Sequence, residues 1–122
     1  MLVHVAVADP LALYADSLTS MLRAGGVCAG APSDLEAWAG QNQVKIIFLT
    51  LASEPDWQRL EALRLLDDRL LIIAVMDVID LTACVRALTA GAVSILPRAA
   101  AAEAVLRTVD CLARGESVVP LP

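Results

Sequence analysis

Two stretches decide what this chain can fold into: VKIIFLT, residues 44–50, and LLIIAVM, residues 70–76. Both have strand length; LLIIAVM is apolar throughout, and VKIIFLT is apolar except for Lys45 and the closing Thr50. A half-exposed strand alternates; a strand that is apolar at every position is buried on both faces, as in a parallel sheet covered by helices. Further β-rich runs at residues 2–8, 27–29 and 93–96 complete a set of five. Between and after them lie amphipathic helical stretches with recognisable ends. The first covers residues 10–23, with Leu11, Tyr14, Leu18, Met21 and Leu22 on one face and Gly25 and Gly26 as stop residues. The second opens at Ser33, with Glu36 three residues on as in a capping box, and ends by Gly40. The others cover residues 55–66 (with Ser53 or Glu54 near the start), 80–90 closed by Gly91, and 100–114 closed by Gly115.

Strand and helix thus alternate five times within 122 residues, the length of one ordinary domain. Right-handed crossovers place helices on both faces of a parallel sheet. The expected architecture is α/β, a flavodoxin-like doubly wound (βα)5 with a parallel five-stranded sheet in the order 2-1-3-4-5. Such sheets carry their functional crevice outside the carboxyl ends of the strands, at the topological switch. The residues arriving there are Asp9 and Pro10, Thr50, Met76 and Asp77, and Leu96, Pro97 and Arg98. The folded domain is expected over residues 1–116, with residues 117–122 as the start of a linker.

Charge and cysteine usage exclude several classes. Nine cations against 14 anions leave a net charge of −5. The cations, eight Arg and Lys45, are scattered, so no basic stripe offers itself to nucleic acid. Three cysteines, Cys28, Cys84 and Cys111, without CxxC spacing point to small buried apolar residues, not to disulfides or zinc. His4 reads as a strand-end surface residue. No apolar run approaches the roughly 18 residues of a membrane span, and the N-terminus lacks a signal-peptide pattern. A cytoplasmic protein without membrane contact is expected. Trp38 and Trp57 fall on helical segments and read as packing or partly exposed anchors.

Three segments resemble response-regulator receiver domains, most closely those that precede LuxR/NarL-type helix-turn-helix domains. VAVADPLALYADSL is similar to the family's first strand and helix, where an acidic pair follows the strand. ALTAGAVSILPR is similar to the stretch closing the fourth helix and fifth strand. AAEAVLRTVDCLARGESV resembles the final helix and its Gly-Glu exit. The resemblance covers the whole chain and implies the CheY-like form of the fold. It also implies a chemistry: phosphoryl transfer to an aspartate ending strand 3. An acidic pair helps hold Mg²⁺, a Thr or Ser after strand 4 and a Lys after strand 5 contact the phosphoryl group, and an aromatic on strand 5 switches orientation.

Carried over position by position, that chemistry is mostly missing. Thr50 stands at the nucleophile position and Asp9 with Pro10 at the acidic pair. Met76 stands at the switch hydroxyl, Arg98 at the lysine and Ile95 at the aromatic switch. One carboxylate holds hydrated Mg²⁺ weakly, and a threonine hydroxyl is a poor nucleophile without a base. Asp9 has a competing role as N-cap of helix 1 with Pro10 at N1; residual ion binding is its other reading. Thr50 is expected as a locally hydrogen-bonded strand end, and Met76 as an apolar plug where a phosphoryl group would sit. Arg98 pairs with either Asp9 or Asp77.

The expected protein is an atypical, phosphorylation-independent regulatory and dimerisation domain of a transcription regulator. It is expected not to be an enzyme and to need no cofactor or metal. DNA would be reached only through a domain outside this chain. The alternative is a stand-alone interaction or small-ligand-sensing module without DNA binding. For a homodimer, helix 5 offers Ala102, Val105, Val109 and Leu112, with Leu106 and Ala113 beside them, as either a partner surface or one wide core face.

Overall fold

The computed structural model describes residues 3–40 and 45–115. Its elements, in chain order, are β1 (His4–Ala8), α1 (Ala12–Ala24), β2 (Cys28–Gly30), α2 (Leu35–Ala39) and β3 (Lys45–Thr50). There follow α3 (Glu54–Leu66), β4 (Leu71–Met76), α4 (Leu81–Ala90), β5 (Ser94–Pro97) and α5 (Ala102–Ala113). All strand pairs are parallel, in the order β2-β1-β3-β4-β5. This is the doubly wound order expected from the alternation. Residues 117–122, expected as a linker, lie outside the described residues.

The two-residue period of the strands sorts side chains onto two faces. Val5, Val7, Ile46, Phe48, Ile73, Val75 and Leu96 pack with α1 and α5 through Leu18, Leu22, Val105, Val109 and Leu112. Ala6, Ile47, Leu49, Ile72, Ala74, Met76 and Ile95 pack with α2, α3 and α4 through Leu35, Leu60, Leu63, Cys84 and Ala87. Every residue of β3 is buried. That is why its sequence shows no alternation.

The helix ends expected at Ser53, Asp80 and Gly91 are found, and one cap needs correction. The cap of α2 is Asp34, not Ser33: its Oδ1 accepts from the Ala37 amide at 3.0 Å. Ser53 opens α3, where the Asp56 carboxylate reaches back to the Ser53 amide at 2.9 Å. Asp80 caps α4 through the Ala83 amide at 2.8 Å, and Gly91 ends it with φ +117°. That positive φ demands glycine, and a Cβ there would also push aside the Arg64 side chain, whose Nε would lie 2.6 Å away. On α5 the inward face is Val105, Thr108, Val109 and Leu112, while Ala102 and Ala113 are exposed. Its outer face carries the ion pairs Glu103–Arg107 and Asp110–Arg114, so the apolar stripe is a core face. Exposed apolar side chains lie on other helices: Leu13 on α1, Leu65 and Leu66 on α3, and Leu81, Val85 and Leu88 along one side of α4. No described helix is long and apolar enough to cross a membrane.

Lys45 is not one of the scattered surface cations. It is 8% exposed and its Nζ donates to the Ala39 carbonyl and to Asp67 Oδ2, the latter at 3.3 Å. Asp67, ending α3, also accepts from the Arg69 amide at 2.9 Å. Hydrogen bonds from the Arg69 amide and side chain, with Lys45 adding to them, hold the Asp67 carboxyl down at about 2. The unfolded chain, with Asp near 3.9, therefore takes up this proton first as pH falls. The Asp67 contribution should be complete above about pH 4 and be lost on descending through about pH 2. Acid unfolding followed by circular dichroism should show a shallower dependence in this window for Asp67→Asn. An unchanged slope would dismiss the linkage.

Candidate functional site

The strand ends deliver Asp9, Thr50 and Arg98 to one point. Asp9 follows β1 directly, Thr50 is the last residue of β3, and Arg98 follows β5. Parallel pairing brings the carboxyl ends of β1 and β3 side by side, with Ala8 opposite Leu49. Arg98 is anchored at its own backbone, where its amide donates to the Met76 carbonyl at 2.9 Å. Its long side chain then spans the end of the sheet to reach Asp9.

The Asp9 side chain has no exposed surface. Its Oδ1 accepts from the Leu11 amide at 2.8 Å and from Arg98 Nη2 at 2.6 Å. Its Oδ2 accepts from the Thr50 hydroxyl at 2.5 Å and from Arg98 Nε at 3.0 Å. A carboxylate offers about four lone-pair positions, and these four donors occupy them. The Arg98 contact is the bidentate fork that fits a carboxylate best. A divalent cation could reach these oxygens only by displacing Arg98 or Thr50. Among the described residues no group of three or more His, Cys, Asp or Glu could hold a metal ion.

Two expectations change here. Asp9 does not cap α1: the helix begins at Ala12 with Leu11 at its N-cap, and Pro10 lies in the exposed turn before it. The Asp9–Leu11 bond is instead a local turn of the kind Asp side chains make with a backbone amide two residues on. Thr50 is not bonded locally either. It is 3% exposed, and its hydroxyl crosses to a different strand's carboxylate.

Met76 and Ile95 sit elsewhere. Both are buried in the apolar cluster under α3 and α4, at 3% and 0% exposure. Met76 therefore fills core on the face away from α1 and α5 and does not plug the crevice. Asp77 is exposed, with its Oδ1 3.7 Å from Arg98 Nη1, so Arg98 meets both carboxylates but holds Asp9 far more closely.

Tyr14 is the site residue the sequence reading missed, since it counted there only as part of the apolar face of α1. Its hydroxyl donates to the Arg98 carbonyl at 2.9 Å, and the Arg98 guanidinium lies 4.6 Å from its ring centroid. Burial, and then the Asp9 carboxylate, push the phenol above its usual range, with the Arg98 charge opposing. Bonding to Asp9 likewise raises the Arg98 guanidinium. The available signal was chemical: this is the sole tyrosine, and a phenol on a packed helix face needs a partner.

A cavity of about 290 Å³ opens beside this cluster, between α1 and the segment following β2. Asp9, Asp16, Ser33, Asp56 and Arg59 are among its lining residues; Thr50, Met76 and Arg98 are not. The open space at the strand ends is therefore displaced toward β2 from where the sequence placed it.

No family model matches the chain, and no curated protein is similar to it in sequence. Solved structures are. A LuxR family DNA-binding response regulator from Silicibacter pomeroyi is 21% identical with a TM-score of 0.79, covering 99% of this chain and 98% of its own. A response regulator from Thermotoga maritima is 13% identical with a TM-score of 0.79, covering 90% and 96%. A CheY-like response regulator receiver domain protein from Methanospirillum hungatei is 16% identical with a TM-score of 0.77, covering 90% and 92%. At these identities the likeness is one of fold, and it agrees with the strand order and five covering helices: the chain has the CheY-like receiver fold.

Proposed function

We propose that this domain keeps the receiver scaffold but regulates without accepting phosphate, serving as the dimerisation or signal-input module of a transcription regulator. The observation that carries this is the saturated Asp9 carboxylate. The remaining acidic group of the strand-end site accepts four hydrogen bonds, two of them from Arg98. The position where receivers place a nucleophilic aspartate holds Thr50, whose hydroxyl is spent on Asp9. Met76 and Ile95, at the two switch positions, are core residues of one apolar cluster. A standing ion pair and a packed core thus replace a metal-dependent, switchable arrangement. For dimerisation, the outward apolar side chains of α4 supply the surface that the charged outer face of α5 lacks. The LuxR-family relative in fold supports a DNA-binding partner domain in the full protein.

The test is incubation of the purified chain with Mg²⁺ and a small phosphodonor. Intact-mass measurement should show no acyl phosphate. Stoichiometric modification would overturn the proposal. The cavity at Asp16, Ser33 and Arg59 favours a second reading, in which a small polar ligand is the input.

A further inference from the structure

At the opposite end of the strands, Cys28 and His4 stand as register partners on β2 and β1. Facing residues of neighbouring parallel strands project from the same side of the sheet. Here Cys28 Sγ lies 3.5 Å from His4 Nδ1. Cys28 is exposed, which corrects the expectation of a buried cysteine; His4 is half-buried at the start of β1. The strand-end cluster of Asp9 and Arg98 uses neither residue.

The separation has a chemical meaning. In a tetrahedral zinc site the metal lies about 2.3 Å from thiolate sulfur and about 2.0–2.1 Å from imidazole nitrogen. Those lengths at the tetrahedral angle put the two ligand atoms about 3.5 Å apart. The Cys28–His4 pair already has the bite of a chelating pair. We propose that Cys28 and His4 form half of a binding site for a borderline-soft divalent ion of the zinc type, completed by the same pair from a second copy of the chain.

The second copy follows from what one chain lacks. A closed zinc site takes four protein ligands. His4 is the only histidine. Among the described residues, no third His, Cys, Asp or Glu joins the pair to make a metal-binding group. Cys84 is buried and Cys111 lies on α5. The geometry also leaves room: Cys28 opens β2, the three-residue strand at the sheet edge, with its thiol side exposed. Two such edges related by a two-fold axis bring together two sulfurs and two nitrogens. On binding, each Cys28 releases its thiol proton to solvent and each neutral His4 offers Nδ1, so affinity rises with pH.

Cobalt titration of the whole chain, kept reduced by a phosphine, tests this. The expected result is visible bands of tetrahedral cobalt with thiolate charge transfer, saturating at about one ion per two chains. Zinc should displace the cobalt and raise the sedimenting mass above that of the metal-free chain. Cys28→Ser and His4→Gln should each abolish the charge-transfer band, while Cys111→Ser should keep it. Far-UV circular dichroism of the metal-free variants checks that the fold is intact. A band that survives in Cys28→Ser, saturation at one ion per chain, or no thiolate band at all would overturn the proposal. So would a dimer dissolved by reductant but not by chelator, which would be a Cys28 disulfide.

Discussion

Asp9→Ala is expected to lower the unfolding free energy by about 3 kcal/mol, since buried polar groups left without partners cost roughly 1–3 kcal/mol each. The reasons lie in the four donors. Without the carboxylate, the Thr50 hydroxyl, 3% exposed, has no acceptor, and the Leu11 amide loses its turn. Arg98 keeps its stacking on Tyr14 but loses its bidentate partner and retains only the looser Asp77 contact. Urea denaturation monitored by tryptophan fluorescence should show the midpoint fall with little change in slope. Thr50→Val should soften the loss. In the double variant the orphaned hydroxyl is absent, so the two effects should fall short of additivity by about 1 kcal/mol. An Asp9→Ala variant as stable as the parent would mean that the carboxylate is not the hub of the strand ends.

Thr50→Asp is the substitution that a simple reading of the fold would choose to restore phosphoryl transfer. It should fail. The introduced carboxylate would face Asp9 from a position where the parent hydroxyl donates at 2.5 Å. Two like charges even about 4 Å apart repel by about 4 kcal/mol at an effective dielectric constant near 20, and Arg98 would have to serve both. Metal could relieve the repulsion only by displacing Arg98 from Asp9. Met76, packed in the core, has no hydroxyl for phosphoryl oxygens. The expected outcome is a destabilised domain that shows no labelling by a small phosphodonor with Mg²⁺. Labelling approaching one phosphoryl group per chain would show that Arg98 does not close Asp9 to metal.

The two apolar runs announced a sheet buried on both sides, and β3 and β4 lie within those runs. The helices were legible from their 3.6-residue stripes and their ends. Val105, Val109 and Leu112 of α5 do face the core, as periodicity requires. Which residues reach the strand ends was legible too, because strand termini are local features. Caps were less so: Ser33 and Asp34 are both good capping residues, and only the backbone bend selects Asp34.

What the sequence could not show was which polar groups meet across the molecule. Asp9 and Arg98 are 89 residues apart, and Thr50 and Asp9 are 41 apart. Their pairing depends on strand order, register and the reach of a side chain from β5 across the sheet. The same holds for Lys45, an ordinary surface cation by composition that the end of α2 and Asp67 enclose. It holds for Tyr14, whose helix face was legible but whose partner was not. Cys28 and His4 are 24 residues apart and meet only because β2 pairs with β1 in one register. The sequence by itself determined the architecture, because hydrophobic periodicity is a local property that each segment carries alone. The tertiary structure decided the chemistry: whether a carboxylate stands open to a metal or is closed by an arginine depends on atoms brought together only by the folded sheet.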